Sequence, residues 1–367
     1  MRILHTVGGF TAAGGGVTSC LNDLIMSLQG CGDEVSLLTV DNGEPLAAPE
    51  GAAWLKTVPS DYITPIAWSR NLSKEVKQIH ADVYHSNGLW MHVNHLTAKK
   101  ARESKKPLVI TPHGMLFPQA LQRSAWKKWP MRKLWFDRDI RQADVIHVTC
   151  GNEESAVRAF GYKGRVELIP NPLVIPEYVN EITTSREEPD VHEIGFLGRL
   201  HPVKGIEWLI DALAMASNKS LRLSIMGAGE PEYERSLMQR VAAKGLTDRV
   251  EFVGQVSGRE KFERLSRLSA LMVPSDFENF GMIVPEALIV ETPVMASLGT
   301  PWESLNETGA GWWVSREPSV LSRLIDRIGE MSHAELRDMG RKGARMVHER
   351  FDARVVAEAM TRLYHSL

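Results

Sequence analysis

The chain has 367 residues, of which 43% are hydrophobic and 24% charged, and its formal net charge is −2. This composition is that of an ordinary globular protein, so collagen, coiled coil and disorder are excluded as overall descriptions. The near-zero net charge gives no indication of a nucleic-acid partner, and none is expected. At about 150 residues per domain, the length predicts two or three domains, most simply two.

The cysteines and the hydropathy restrict the environment of the protein. Cys20, Cys31 and Cys150 form no CxxC pair, which argues against a disulfide framework and against a structural zinc site. No run of about 18 apolar residues occurs, and the apolar stretch at the N-terminus is too short and glycine-broken for a signal peptide. We therefore expect a cytoplasmic protein without a membrane-spanning helix.

Short apolar runs alternate with amphipathic stretches along nearly the whole chain. In the first half, strands are predicted at residues 2–7, 35–40, 82–86, 107–111, 144–149 and 165–170. The alternation then begins again, with strands predicted at residues 193–198, 221–227, 249–254, 270–275 and 293–297. Strands separated by helices of about 10–15 residues are typical of parallel sheets. The sequence therefore predicts an α/β protein with two Rossmann-like, doubly wound parallel-sheet domains that face each other across a cleft.

The boundary between the two domains is predicted within residues 170–191. This segment holds four prolines, several charged residues and no clear periodicity, which indicates an interdomain linker. Residues 1–180 carry a net charge of +3 and residues 181–367 one of −5, as expected for two domains with different surfaces. Apolar spacing in residues 353–367 predicts a final helix.

Two motifs of the first half lie at the ends of predicted strands. Gly14, Gly15 and Gly16 follow the first strand and open a helix, where backbone amides could bind an anion. A plain strand-to-helix turn is the alternative. His113 stands in a TPHG motif that closes the strand at 107–111, where it could hydrogen-bond a substrate or be a satisfied structural histidine.

A motif of the second half, GRLHPVKG, spans residues 198–205 between a predicted strand and a helix. Arg199 and Lys204 on this loop could clamp a diphosphate between two cations. Merely solvated loop cations are the alternative, and they are common.

Glu278 and Glu286 are eight residues apart, the first on a loop and the second on the helix that follows. The intervening amides would lie at the helix N-terminus and could donate hydrogen bonds; they belong to Asn279, Phe280, Gly281 and Met282. Glu286 has apolar neighbours, and an unpaired carboxylate there is costly. We therefore favour a ligand-binding role for this pair over a solvated helix face.

Other polar residues are interpreted as structural. Asp137 and Asp139 form a DxD pattern, but their stretch is helical and basic, so we interpret both as surface charge. His92 and His95 have no acidic or cysteine partner at a spacing typical of metal ligands. Residues 123–141 combine seven Lys and Arg with four large aromatic residues. This stretch could dock on anionic lipid headgroups, or it could have a buried aromatic face and a solvated basic face.

The ordered set of motifs resembles the retaining glycosyltransferases of family 4, the glycosyl transferases group 1, which have the GT-B fold. The resemblance covers nearly the whole chain. It is carried by the early glycine loop, TPHGML at 111–116, IPNP at 169–172, GRL-x-P-x-KG at 198–205, MGAGE at 226–230, EFVGQV at 251–256 and the two glutamates eight residues apart.

The resemblance implies transfer of a sugar from a UDP- or GDP-sugar with retention of configuration and with no metal or other cofactor. The residues that it implies as catalytic are His113, Glu278, Arg199 and Lys204. Those implied for the donor diphosphate are Arg199, Lys204, Gly15 and Gly16. Those implied for the donor sugar are Glu278, Asn279, Phe280, Gly281 and Met282. Those implied for the ribose or base are Glu286, Val253, Val256 and Gly227.

The domain limits also follow from the resemblance. An acceptor-side domain would span residues 1–175, with the C-terminal helix 352–367 packing back on it, and a donor-binding domain would span 176–351. Closure of the two domains would assemble the site.

One departure from the family pattern concerns the acceptor. Residues 299–303 read GTPWE where the family often has two glycines before a glutamate, and GAGWWV follows at 309–314. Together they resemble a branch of bacterial surface-polysaccharide enzymes. That branch implies a glycan or polyprenyl-diphosphate-linked glycan acceptor, in lipopolysaccharide, O-antigen, capsule or exopolysaccharide synthesis. The enzyme would then act at the inner face of the cell membrane, which residues 123–141 would contact peripherally.

Three other functions compete with this one. A nucleotide-sugar epimerase shares the fold, but the GRL-x-P-x-KG motif and the paired glutamates favour the transferase. A non-catalytic sugar receptor is disfavoured because such a receptor usually needs export, and no signal peptide is recognised in the sequence. A dinucleotide dehydrogenase is disfavoured because neither glycine cluster reads GxGxxG with an acidic residue about 20 positions on.

Overall fold

The computed structural model describes residues 1–11, 14–41, 43–49, 51–61, 66–122, 132–186 and 190–367. These residues form two compact units. The first unit comprises Met1–Pro172 together with Ala353–Leu367, and the second unit comprises Leu173–Asp352. Each unit contains one parallel sheet flanked by helices, so the predicted α/β class with two doubly wound sheets is confirmed.

The first unit has seven strands, which are β1 (Arg2–Val7), β2 (Glu34–Asp41), β3 (Leu55–Pro59), β4 (Val83–Asn87), β5 (Leu108–Thr111), β6 (Val145–Val148) and β7 (Arg165–Leu168). Its described α-helices before the second unit are α1 (Gly15–Gln29), α2 (Arg70–Gln78), α3 (His92–Ser104), α4 (Pro118–Gln122), α5 (Asp137–Arg141) and α6 (Gly151–Phe160). A π-helical turn, Arg132–Phe136, leads into α5.

The strand order in this sheet is β3-β2-β1-β4-β5-β6-β7, with every pairing parallel. All residues of β4, β5 and β6 are buried, because helices cover both faces of the sheet. Parallel strands that are buried on both faces leave only their ends accessible. The polar residues at the carboxyl ends of these strands are therefore the ones placed to meet a ligand.

The second unit has six strands, which are β8 (Glu193–Leu197), β9 (Arg222–Met226), β10 (Val250–Gly254), β11 (Ala270–Val273), β12 (Val294–Ser297) and β13 (Gly311–Val314). Its described α-helices are α7 (Tyr178–Thr184), α8 (Ile206–Met215), α9 (Pro231–Ala243), α10 (Gly258–Arg267), α11 (Ile283–Ile289), α12 (Ser304–Thr308), α13 (Pro318–Glu330) and α14 (His333–Arg350). A short 3₁₀ turn, Pro202–Lys204, separates β8 from α8.

This second sheet has the order β10-β9-β8-β11-β12-β13, again with parallel pairings throughout. Two clusters of buried side chains flank it. One joins the sheet to α8, α9 and α13, and the other joins it to α7, α10, α11 and α14. Both clusters draw on alternate residues of the same strands, for example Met272 and Leu271 of β11.

The chain returns to the first unit through its last helix, α15 (Ala353–His365). The helix packs against α1, and its buried face includes Val356, Met360 and Tyr364. Within the described residues, no helix is both long enough and apolar enough to cross a bilayer.

Three elements differ from the sequence prediction. Strands β3 and β13 were not predicted, since β3 has only one buried residue and β13 is four residues long. The segment 170–191, predicted as an interdomain linker without clear periodicity, contains a helix that was not predicted, α7, over Tyr178–Thr184. Val179 and Ile182 of this helix are buried, and a helix of seven residues between prolines is too short to show helical periodicity.

Candidate functional site

Lys204 and Glu278 form an ion pair at the carboxyl end of the second sheet. Lys204 ends the 3₁₀ turn after β8, and Glu278 lies on the loop between β11 and α11. The hydroxyl of Ser275 also donates to Glu278 Oε1, at 2.8 Å. The structure therefore brings together two residues that the sequence analysis selected as catalytic from motifs 74 positions apart.

Backbone hydrogen bonds hold the loops that carry this pair. The amide of Asp276 donates to the carbonyl of Val203 at 2.7 Å, and the amide of Glu278 donates to the carbonyl of Gly299 at 3.1 Å. Gly205 has φ +70°, and a Cβ there would overlap the carbonyl of Pro274. The loops after β8, β11 and β12 are thus tied together, which fixes the position of both charged side chains.

Arg199 differs from Lys204 in that its charge is not compensated. Its side chain is exposed on the loop after β8, and it makes no hydrogen bond or ion pair with any other described residue. A guanidinium stays protonated at all physiological pH values and can hold two phosphate oxygens at once. The described part of this loop therefore offers one uncompensated cation beside one cation that is paired with a carboxylate.

Glu286 lies on α11 and forms an ion pair with Lys261 of α10, with 2.8 Å between Nζ and Oε1. The sequence analysis argued that a carboxylate among apolar neighbours needs a partner, and it favoured a ligand for that role. That inference is weakened, because Lys261 supplies the missing charge and both side chains remain about one-fifth exposed. A role of Glu286 in binding ribose stays a prediction.

The loop between Glu278 and Glu286 is anchored in the core by aromatic residues. Phe280 is buried, and its ring packs against Trp302 and Phe351. The indole of Trp302 donates to the carbonyl of Phe280 at 2.5 Å. The Phe280 side chain is thus part of the core, and only the backbone of this residue can serve a ligand. Gly281, at φ +82°, precedes α11 in a conformation that side chains rarely adopt.

The residues predicted for the base lie near the ends of β9 and β10. Gly227 has φ +138°, and a Cβ there would overlap the carbonyl of Gly198. Its amide donates to the carbonyl of Gly254 at 2.7 Å. Val253 and Val256 are half-buried and pack against the cluster of α10 and α11. Gly227 thus has a structural reason to be glycine, and its contact with a nucleotide stays a prediction.

In the first unit, the glycine loop opens helix α1. Gly15 has φ +69°, and a Cβ at Gly15 or Gly16 would meet no atom within 4 Å. Conformation therefore favours glycine at position 15, while packing requires it at neither position. The first turn of α1 contains no acidic side chain, so nothing within that turn opposes an anion at its amides.

His113 follows β5 in a left-handed conformation, with φ +51°. Its Nε2 lies 3.4 Å from Oδ1 of Asn87, at the end of β4. Burial lowers the pKa of His113 to about 3, so the ring is neutral at physiological pH. Glu153, which the sequence analysis missed, accepts from the amides of Gly114 and Thr149 at 2.5 and 2.8 Å and so holds the loop.

One structural assignment made from the sequence is wrong. Asp139 is buried rather than a surface charge, and it accepts hydrogen bonds from His95 Nδ1 at 2.6 Å and Arg102 Nη1 at 2.7 Å. His95, which we interpreted as structural, is thus hydrogen-bonded to Asp139, and its ring stacks on Trp135. Sequence spacing could not reveal this pair, because 44 residues separate its members. No group of three or more potential metal ligands occurs in the part of the chain that is described.

The basic aromatic stretch 123–141 is only partly described, since residues 123–131 lie outside the described residues. Within the remainder, Phe136 is buried, whereas Lys133 is exposed and Leu134 is 64% exposed. Phe136 thus fits the buried aromatic face that the sequence left open, while Leu134, an apolar residue beside a cation, faces solvent.

Family models match both units. The model described as Glycosyl transferases group 1 matches residues 180–346, and the model described as Glycosyltransferase Family 4 matches residues 14–174.

Similar proteins of known name are glycosyltransferases. The chain is 30% identical over 145 residues to an uncharacterized glycosyltransferase of Methanocaldococcus jannaschii, covering 38% of this chain and 36% of that protein. It is 23% identical over 297 residues to the GDP-mannose:cellobiosyl-diphosphopolyprenol alpha-mannosyltransferase of Xanthomonas oryzae pv. oryzae, covering 78% and 74%. The matched region spans about a third or less of the length of the first three curated relatives. For granule-bound starch synthase 2 of Solanum tuberosum it spans 19% of that protein.

Solved structures share the fold over the full chain. HepE of Anabaena, solved in complex with UDP and glucose, has a TM-score of 0.76 at 18% identity, with 100% of both chains covered. Sucrose-phosphate synthase of Thermosynechococcus elongatus has a TM-score of 0.76 at 23% identity, covering 100% of this chain and 98% of that one.

The buried histidines of the first unit predict a loss of stability in acid. Burial lowers the pKa to about 3 for His5 and His113 and to about 4 for His147, and it lowers that of His85 well below 6.5. Below pH 6.5 the unfolded chain binds protons that the folded unit does not, so the free energy of unfolding falls as pH decreases from about 6.5 to about 4. The slope is about 1.4 kcal/mol per pH unit for each histidine.

Urea unfolding between pH 7.5 and 4.5 measures this slope. The variant His147→Gln should reduce the slope by the contribution of one histidine, about 1.4 kcal/mol per pH unit. His80→Gln, which changes an exposed histidine of the same unit, should leave it unchanged. An unfolding free energy that is constant over this range would contradict the prediction.

Proposed function

The chain belongs to the glycosyl transferases group 1 of glycosyltransferase family 4, and from this premise we propose that it transfers a sugar from a nucleoside-diphosphate sugar to a hydroxyl of an acceptor. The observation that carries the proposal is the arrangement at the carboxyl end of the second sheet. There the uncompensated cation of Arg199 lies on the same loop as Lys204, which is paired with Glu278.

The proposed reaction makes use of this charge arrangement. When the bond between sugar and diphosphate breaks, the leaving diphosphate gains negative charge, and Arg199 and Lys204 stabilise it. Without donor, Lys204 is neutralised by Glu278. A bound diphosphate would compete for Lys204, and the carboxylate of Glu278 would then be free to accept hydrogen bonds from sugar hydroxyls. We propose that configuration is retained and that no metal or other cofactor takes part.

The remaining predicted residues receive roles by the same reasoning. We propose that the amides of Asn279, Gly281 and Met282 bind the sugar, and that Phe280 contributes its backbone alone. The ribose and base would be held by Glu286, Gly227, Val253 and Val256. The amides of Gly15 and Gly16 would contact the diphosphate, and His113 would contact the sugar.

Donor and acceptor are proposed from two of the similar proteins. HepE was solved with UDP and glucose, and the Xanthomonas relative is named for GDP-mannose and a cellobiosyl-diphosphopolyprenol. We propose a UDP- or GDP-sugar as donor and a glycan or polyprenyl-diphosphate-linked glycan as acceptor, in bacterial surface-polysaccharide synthesis. A lipid-linked acceptor would bring the enzyme to the inner face of the cell membrane.

Thermal unfolding with a panel of UDP-, GDP- and ADP-sugars tests the donor class. A ligand that binds only the folded state raises the melting temperature, and at 100 times its Kd it adds about 2.7 kcal/mol of stability. We expect one nucleotide to produce this shift and the free nucleosides, which lack the diphosphate, to produce little. If no sugar nucleotide raised the melting temperature, the proposed function would be wrong.

Substitution of the cations tests their role in turnover. With donor and acceptor saturating, Arg199→Ala and Lys204→Ala should each lower kcat about 100-fold and change acceptor KM little, because their contacts strengthen as the diphosphate leaves. Arg235→Ala, which removes an exposed cation of α9, is the matched control and should keep normal turnover. Near-normal kcat in both active-site variants would contradict the assignment. Conversion of the donor sugar without acceptor would instead indicate an epimerase.

Vesicle sedimentation tests the membrane proposal. We expect binding to vesicles with anionic lipid at low salt and release at high salt, because each basic residue near such a surface contributes about 1 kcal/mol. Leu134→Ser should weaken binding, since this side chain is 64% exposed beside Lys133. Met215→Ser, at an apolar residue of the second unit that is 57% exposed, is the control. Equal binding of wild type and Leu134→Ser, or none to anionic vesicles, would count against the proposal.

A further inference from the structure

Among the described residues, one hydrogen bond holds the peptide between Phe280 and Gly281. The carbonyl of this peptide accepts from the indole N–H of Trp302 at 2.5 Å, in the loop between Glu278 and Glu286. Trp302 and the ring of Phe280 are both buried. The N–H of the same peptide, that of Gly281, donates to no described residue. In the described part of the chain, only the carbonyl half of this peptide thus has a partner.

The planarity of the peptide determines where its N–H points. The described peptides include no cis bond, and in a trans peptide the C=O and N–H bonds point in opposite directions. Because the carbonyl of Phe280 points to the buried indole, the N–H of Gly281 points away from it. Gly281 is partly exposed, and a Cβ there would lie 3.7 Å from Cγ of Glu278. The Gly281 amide therefore lies close to the residue that we propose to bind the donor sugar.

Without Trp302, the loop would not fix the direction of this peptide. A peptide can rotate as a unit between two fixed Cα atoms, so the buried ring of Phe280 does not prevent the rotation. A half-turn would change φ of Gly281 from +82° to about −100°, and glycine adopts both values. The next peptide has a partner of its own, because the amide of Val284 donates to the carbonyl of Gly281 at 3.0 Å. The direction of the Phe280–Gly281 peptide therefore depends on the indole.

Trp302 belongs to the segment 299–303, which departs from the family pattern. The same segment holds the loop at a second point, because the carbonyl of Gly299 accepts from the amide of Glu278 at 3.1 Å. Two backbone groups of the loop, at Glu278 and Phe280, are thus tied to one segment. The departure therefore supplies the support of the loop that carries the candidate sugar site.

We propose that Trp302 is a positioning residue for the donor sugar: its indole N–H holds the Phe280–Gly281 peptide so that the Gly281 amide donates to a hydroxyl of that sugar. This inference rests on the proposed function, in which the amides of the loop bind the sugar. It adds a buried residue that touches no substrate itself. Rotation of the peptide would instead present the carbonyl of Phe280, an acceptor, near the carboxylate of Glu278, which also only accepts.

Binding of the donor with and without its sugar tests the role of the indole N–H. The measured quantity is the Kd of UDP-glucose divided by that of UDP, or the Kd of GDP-mannose divided by that of GDP if the guanine nucleotide raises the melting temperature. Trp302→Phe keeps an aromatic ring and removes the N–H. It should raise this ratio about threefold, because both directions of the peptide become populated. A loss of stability alone leaves the ratio unchanged.

Gly281→Ala acts on the same peptide from its other side. Alanine disfavours the positive φ of this position, and its Cβ would make ordinary van der Waals contacts. While the indole still holds the carbonyl of Phe280, the ratio should rise less than about twofold. In the double variant with Trp302→Phe nothing opposes the rotation, so the ratio should rise about tenfold, which exceeds the product of the two single changes.

Trp313→Phe is the matched control. It also removes an indole N–H that donates to a backbone carbonyl, that of Thr300 at 3.0 Å, in the same segment 299–303. Thr300 keeps two hydrogen bonds to the carbonyl of Ser297, from its amide at 3.0 Å and from its hydroxyl at 2.7 Å. The segment should therefore stay in place, and the ratio of dissociation constants should not change.

Nuclear magnetic resonance observes the Gly281 amide directly in the wild type. The sequence contains two Phe–Gly pairs, 160–161 and 280–281, so labelling of phenylalanine carbonyl carbon and glycine nitrogen gives two signals. The Gly281 amide should exchange with water in the free protein. It should become protected by the sugar nucleotide but not by the nucleoside diphosphate. The Gly161 amide, which donates to the carbonyl of Arg158 at 2.9 Å, is the internal reference.

The outcomes separate this inference from the proposed function. An unchanged ratio in Trp302→Phe and in the double variant, or an equal change in Trp313→Phe, would overturn the positioning role. So would a Gly281 amide that is protected in the free wild type, or one that stays unprotected when the sugar nucleotide is bound. If no sugar nucleotide bound, the proposed function would be wrong, while exchange in the free protein would still decide the direction of the Gly281 amide.

Discussion

The ion pair between Lys204 and Glu278 is the interaction on which the candidate donor site depends. Both side chains are mostly buried, at 22% and 14% exposure, so leaving either charge unpaired there would cost stability. The pair lets two loops of opposite charge approach each other at the end of a parallel sheet. It also keeps a lysine in place for an anionic ligand without leaving that lysine uncompensated when the ligand is absent.

Arg199 needs no such partner, because it is exposed and its guanidinium is solvated. The two cations of this motif are thus stabilised differently. Water solvates Arg199, whereas Glu278 pairs with Lys204. This difference has a consequence for binding. A diphosphate bound as proposed would gain the attraction of Arg199 without competition, whereas its contact with Lys204 would require Lys204 to exchange the carboxylate of Glu278 for the diphosphate.

The first unit differs from this site, because its core contains polar side chains that must stay neutral. A second proton on His147, His85 or His5 would place two donors against each other. Burial prevents this by lowering the pKa of each ring. Two segments next to the second unit in sequence supply hydrogen-bond partners for these rings, which are the carbonyl of Ile169 for His147 and the hydroxyl of Tyr364 in α15 for His85.

Local patterns in the sequence were sufficient for most of the fold. Continuous apolar runs such as those of β4 and β6 predicted strands buried on both faces, and the order of motifs predicted the class of site. In β3, β13 and α7 the apolar pattern was too short to predict the element from the sequence. The partners of buried charges could not be read at all, because Lys261 and Glu286, or His95 and Asp139, are brought together only by the packing of separate elements.

The departure at residues 299–303 shows how packing can explain a residue that sequence reasoning left open. Trp302 stands in this segment, fully buried against Phe280 and Phe351, and its indole binds the carbonyl of Phe280. A large side chain here reaches the loop that carries Glu278, which glycine could not do. Because the indole N–H and the ring both act on Phe280, the loop between the two glutamates is held from its buried side.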